Sequence, residues 1–210
     1  ALPILPPPPE CANLSRRGAR TQSMAENPLR LKSIHHVEFW VGNAKQAAYY
    51  YRQAFGFSQF AYAGLETGRR DAASYALQQG KARIVLTTPY GPDDPINDHV
   101  RLHGDGVRDI CFHVDDADAA FAEAVARGAE PVSAPADRTD EHGTVRHAAI
   151  AAYGHTIHSL VSYRDYRGPF LPGHAAKDAP GRDAGLLRID HMVGNVEIRR
   201  MYHGAARYSP

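Results

Sequence analysis

The chain has 210 residues, 43% of them hydrophobic and 22% charged, with a formal net charge of +1. These values describe an ordinary globular chain, with room for one domain or one domain plus part of another. Near-neutral charge and the lack of a basic cluster interleaved with aromatics argue against nucleic acid as a partner. No apolar run approaches the ~20 residues that span a bilayer, which argues against a membrane span. The two cysteines, Cys11 and Cys111, lie in unrelated settings, so no disulfide framework is expected and a reducing, cytoplasmic setting is the reading.

Taken in chain order, residues 1–28 read as an extended or disordered leader. Pro6-Pro7-Pro8-Pro9 cannot join a helix or a central strand, because proline has no N–H to donate. Met24 is read as a natural start with an extension before it; the alternative is that the residues before Met24 are a genuine disordered tail. Ile34 to Val41 is rich in β-branched and aromatic residues and predicts a strand. Asn43 caps a helix from Ala44 to Ala54, which Phe55-Gly56-Phe57 closes. Three strands are expected next, over Ser58 to Gly64, Ala72 to Gln79 and Arg83 to Thr88. Gly80-Lys81 is the hairpin turn between the last two. Pro89 to Asp105 reads as a loop.

The order then recurs. Val107 to Val114 predicts a strand, Asp115 or Asp116 a cap, and Ala117 to Arg127 a helix ended by Gly128. Strands are expected near Glu130 to Ser133, Thr144 to Ala151 and Thr156 to Ser162. A Gly-, Pro- and Asp-rich run over 167–185 reads as an interdomain linker. Leu187 to Val196 then looks like a third strand opening. Repetition at so long a period marks duplicated supersecondary units. The fold class is α+β: paired βαβββ modules over 29–166.

In register, the three openings are Ile34-His35-His36-Val37-Glu38, Val107-Arg108-Asp109-Ile110-Cys111 and Ile189-Asp190-His191-Met192-Val193. Several stretches carry a resemblance to one family: Val37-Glu38-Phe39-Trp40-Val41-Gly42-Asn43-Ala44, Phe55-Gly56-Phe57, His103-Gly104-Asp105-Gly106-Val107, Tyr166-Arg167-Gly168-Pro169-Phe170-Leu171-Pro172-Gly173, and Leu186 to Val196 around Ile189-Asp190-His191. With these motifs the chain resembles the 4-hydroxyphenylpyruvate dioxygenase family of the vicinal oxygen chelate superfamily. The match covers its N-terminal half and the first strand of its C-terminal half, and implies that the paired modules form a half-barrel. The resemblance implies a small-molecule substrate, 4-hydroxyphenylpyruvate, consumed with O2 to give homogentisate and CO2. It also implies Fe(II) as cofactor in the intact enzyme, none held stably by this stretch alone, and a homo-oligomer. Residues 186–210 would then be the truncated start of the catalytic domain. A hydroxymandelate synthase and a metal-free binding protein of the same fold are the alternatives.

The superfamily places metal ligands on the first strand of each module and a carboxylate on a late strand, giving a facial triad with open positions. His36 fits the first position. Asp109 stands where the second histidine would be, and Thr156 to Val161 carries no carboxylate. The resemblance therefore makes His191 the metal ligand and leaves the complete pair without an iron triad. Because strand side chains alternate faces, His35 and His36 are expected on opposite faces, with His36 and Glu38 on one. His36 and Glu38 read as structural, His155 and His158 as surface residues, and His99 and His103 as non-ligating. Tyr49-Tyr50-Tyr51 should pack with one ring exposed. Cys111 should be a small buried hydrophobe.

Overall fold

The computed structural model describes residues 27–194. The leader before Asn27, Met24 included, and the run after Gly194 lie outside the described residues. The first module is β1 (Leu31–Trp40), α1 (Ala44–Phe55), β2 (Ser58–Ala63), β3 (Ala72–Gln79) and β4 (Ala82–Pro89). A short helix, α2 (Pro95–His103), leads to the second: β5 (Gly106–Val114), α3 (Ala117–Ala126), β6 (Pro131–Asp140), β7 (Gly143–Ala151) and β8 (Ile157–Tyr163). One more strand, β9 (Ala175–Ala179), follows.

All nine strands of the described residues join one curled sheet in the order β6-β7-β8-β5-β1-β4-β3-β2-β9. The modules meet at the antiparallel pair β1–β5, where His36 stands opposite Cys111 and Glu38 opposite Asp109. A two-fold axis between the strands demands this reciprocity if His36 corresponds to Asp109 and Glu38 to Cys111. The internal register of the sequence is thus a spatial symmetry. Within each module the first strand lies parallel to the last, β1 to β4 and β5 to β8.

Strand alternation sorts the side chains into two layers. On the convex side α1 packs on Leu77, Ile84 and Leu86, with Val41 and Phe57 beside them. α3 packs its Ala117 and Ala120 on Val114 and Leu160. The caps are as expected: Asn43 accepts from the Gln46 N–H, and Asp116 accepts from Asp118 and Ala119. Gly56 ends α1 at φ 74°, a left-handed conformation that suits glycine.

Several expectations are corrected. Pro89 to Asp105 is not all loop, because α2 forms there. Asp94 caps it, Pro95 sits in its first turn and Gly104 ends it. β6 runs to Asp140, well past the expected Ser133, because an edge strand needs only its ladder to β7 and little apolar content. The 167–185 run contains β9, which pairs with β2. Farther on, Leu186 donates its N–H to Gln79 Oε1 and Leu187 accepts from Lys81 N–H. These isolated bonds are not a ladder, and residues 187–194 form no strand. Tyr49 and Tyr50 are both exposed, while Tyr51 packs inward. Among the described residues no helix is long and apolar enough to cross a membrane.

Candidate functional site in the half-barrel

The concave face of the sheet encloses a cavity of about 150 Å³. Inward positions of β1 supply His36 and Glu38, and inward positions of β5 supply Asp109 and Cys111. The last strands contribute Val85 from β4 and Ser159 and Val161 from β8, so the carboxylate missing from the Thr156 to Val161 sequence is missing from the wall as well. Phe170, Leu171 and His174 complete the lining. The run expected to be a linker therefore packs into the half-barrel. Phe170 packs on Ala61, Ala76 and Val85 of the first module, while Leu171 reaches Cys111, Val145 and Val161 of the second.

The two central carboxylates each end a chain of directed hydrogen bonds. Arg69 donates to Ser74 Oγ (2.7 Å), Ser74 shares a 2.8 Å bond with Thr87, and Thr87 donates to Glu38 (2.5 Å). Asp109 accepts from the Ser159 N–H (2.9 Å) and from Ser159 Oγ (2.5 Å), whose oxygen lies 3.2 Å from His147 Nε2. Burial opposes these donors. It raises the Glu38 carboxyl above its usual range despite the Thr87 bond. Burial, reinforced by the neighbouring Glu38 charge, pushes Asp109 up to about 7. The same dry surroundings hold His36 well below its ordinary value and His147 at about 4, so both rings are neutral at pH 7.

His35 and His36 do not point apart. A register irregularity between Ile34 and His36 interrupts the alternation, and the two Nδ1 atoms lie 2.7 Å apart. A β-bulge of this kind places successive residues on one side of a sheet. His35 stands behind His36, bonds Tyr163 at 2.5 Å and stacks on Phe170. His158 is also buried rather than superficial, with its ring beside Phe112 on the helix-bearing side. His155 is exposed and bonds His103 at 2.6 Å. His99 is buried against Trp40, with neither ring nitrogen hydrogen-bonded within the described residues. Trp40 packs against His99 and Arg108 and does not line the cavity. Cys111 is fully buried, as expected.

His191 lies apart from this cluster. Its side chain is 76% exposed and its Nδ1 is 2.9 Å from Asp190 Oδ2. Among the described residues, the clusters of ligating side chains lie in the half-barrel and none includes His191. The described residues alone do not fit an iron centre at His191. Sequence reasoning placed His36, Glu38 and Asp109 in one register but passed over Arg69, Ser74, Arg138, His147, Ser159 and His174. Alternation along β3, β7 and β8 was the available signal for Ser74, His147 and Ser159.

Residues 35–146 match the model of the Glyoxalase/Bleomycin resistance protein/Dioxygenase superfamily, and the chain belongs to that superfamily. A 4-hydroxyphenylpyruvate dioxygenase of Neurospora crassa is 44% identical over 197 residues, covering 82% of this chain and 48% of its own. One from Xenopus tropicalis is 46% identical over 182 residues, covering 82% and 46%. The chain thus spans about half the length of the curated relatives it matches. Among solved structures, a mutant 4-hydroxymandelate synthase of Streptomyces coelicolor superposes with a TM-score of 0.64 at 28% identity, over 76% of this chain and 45% of that one. A methylmalonyl-CoA epimerase of the same organism, at TM-score 0.53 and 20% identity over 66% of this chain, shares the fold and spans 99% of its own length.

Proposed function

We propose that this chain belongs to a 4-hydroxyphenylpyruvate dioxygenase, which converts 4-hydroxyphenylpyruvate and O2 to homogentisate and CO2. One observation carries the reading: relatives bearing that name are 41–46% identical across about four fifths of the chain. On this reading 29–166 is a scaffold domain and 186–210 opens the catalytic domain. His191 is then one ligand to Fe(II), the cofactor of the intact enzyme. The enzyme is cytoplasmic and homo-oligomeric.

What the described residues contribute is rigidity. The two modules share one sheet, Phe170 and Leu171 lock its concave face, and β9 carries the chain back along β2 toward His191. A rigid support fixes where a ligand-bearing segment begins, and ligand placement within about half an ångström is what such centres require. The similarity to hydroxymandelate synthase favours a second reading, in which the same substrate yields 4-hydroxymandelate instead.

The test uses the protein purified from its source, given Fe(II), 4-hydroxyphenylpyruvate and O2. Homogentisate formation, abolished in His191→Ala while the fold persists, is the expected result. Hydroxymandelate as product would transfer the assignment to the second reading. Turnover unchanged in His191→Ala would remove that residue from the site.

A further inference from the structure

We infer that the half-barrel holds a second, non-catalytic divalent-cation site formed by His36, Glu38 and Asp109. A ring nitrogen of His36 and a carboxylate oxygen each from Glu38 and Asp109 all lie within 4.8 Å of one another. An ion centred among three atoms at that limit lies about 2.8 Å from each, so the side chains close by roughly 0.6–0.8 Å to reach the 2.0–2.2 Å bonds of a first-row metal. This donor set is not the triad implied by the family resemblance. It takes two inward positions of β1 and one of β5, and none from a late strand.

Three further observations separate the cluster from a chance gathering of acids. The donors line a cavity with room for an ion and coordinated water. The His36 ring is 5% exposed and bonds through Nδ1 to His35; no hydrogen bond from the described residues reaches its Nε2. Each donor is also steadied from behind: His36 by His35 and Tyr163, Glu38 by Thr87 and Ser74, Asp109 by Ser159 and His147. Partners of this kind orient metal ligands and fix their tautomers. With His36 Nδ1–H donating to His35 Nδ1, and His35 Nε2–H donating to the Tyr163 hydroxyl, both rings stay neutral and the His36 Nε2 lone pair is free. Two adjacent carboxylates out of water repel each other unless a proton or a cation joins them, so a metal ion here takes the place of a proton.

Two cations already line the cavity, Arg69 and Arg138. Arg69 is turned onto Asp71 and Ser74. The Arg138 side chain makes no ion pair or hydrogen bond among the described residues, and its field opposes a metal. The site is therefore of moderate affinity. Two carboxylates and one neutral imidazole suit Mn(II) or Zn(II) rather than thiophilic ions.

The experiment is a Mn(II) titration of the chain, followed by calorimetry and by paramagnetic broadening of backbone amides. A single ion is expected, with broadening centred on residues 36–38, 109–111 and 159. Asp109→Asn and Glu38→Gln weaken binding by at least about tenfold. Arg138→Gln strengthens it by at least about twofold, because a repelling charge is gone, and damage to the fold cannot produce that gain. His191→Ala leaves it unchanged, which separates this site from the iron ligand proposed above. Absence of uptake, broadening centred on 188–194, binding lost in His191→Ala, or weaker binding in Arg138→Gln would each overturn the inference. The broadening pattern is read on the unmodified chain, so the proposal stands or falls even if a variant fails to fold.

Discussion

The two modules share a backbone plan but spend it differently. On the convex side the first packs α1 onto large residues, Phe57, Leu77 and Leu86. The second brings α3 close with alanines, Ala117 and Ala120, against Val114 and Leu160. On the concave side, symmetry-related positions have diverged as well: His36 against Asp109, Glu38 against Cys111. A duplicated scaffold keeps the positions and frees the chemistry. The interior cluster draws two donors from one module and one from the other, so neither module alone carries it.

The difference in packing can be broken from both sides. Leu86→Ala opens a fully buried cavity in the first module and is expected to cost about 2–5 kcal/mol, read from urea midpoints. Ala120→Leu tests the second module in the opposite sense. At 2% exposure on the buried face of α3 there is no space for three more carbons, and overpacking costs about 1–3 kcal/mol. If Ala120→Leu were neutral, the close alanine contact would not be a packing constraint.

The concave side is sharpened by pH. His147 and His174 titrate near 6.5 when unfolded but at about 4 in the fold, both chiefly through burial. The unfolded chain takes up their protons first, so stability falls as pH drops from about 6.5 toward about 4. Asp109 acts in the other direction. Its folded value of about 7 exceeds the ordinary 3.8, so its contribution is complete below 3.8 and lost as pH rises through about 7. Chelator-treated Asp109→Asn is expected to lose the alkaline decline and keep the acid one. The smallest effect concerns the caps. Asp116→Ala and Asn43→Ala each cost about 1 kcal/mol, with Asp116 the larger because its side chain serves two N–H groups and that of Asn43 one. Thermal melts resolve this.

Much of the fold was legible because period-2 runs and helix punctuation occur twice in the same order. Asn43, Gly56 and Gly80 each stand where their turn or cap chemistry places them. The misses have physical causes. The α2 signal, Asp94-Pro95 through Gly104, was present but sat inside a stretch of turn residues. β6 and β9 are edge strands whose pairing partners, not their own composition, hold them in place. The candidate site was half legible. Register aligned His36 with Asp109, but alternation alone misplaced His35, because a bulge lies between Ile34 and His36. The packing of Phe170 and Leu171 into the half-barrel depends on contacts far along the chain, which local pattern does not encode. The exposed His191 was visible only through its Ile189-Asp190-His191 motif.

The central claim is that the donors of both modules converge on one point of the half-barrel. Crystals of the chain grown with Mn(II) and measured for anomalous scattering test it most directly. The account predicts a single strong peak between His36, Glu38 and Asp109. A crystal with Mn(II) bound elsewhere and a bare interior, or with Arg138 folded onto both carboxylates in its place, would contradict it.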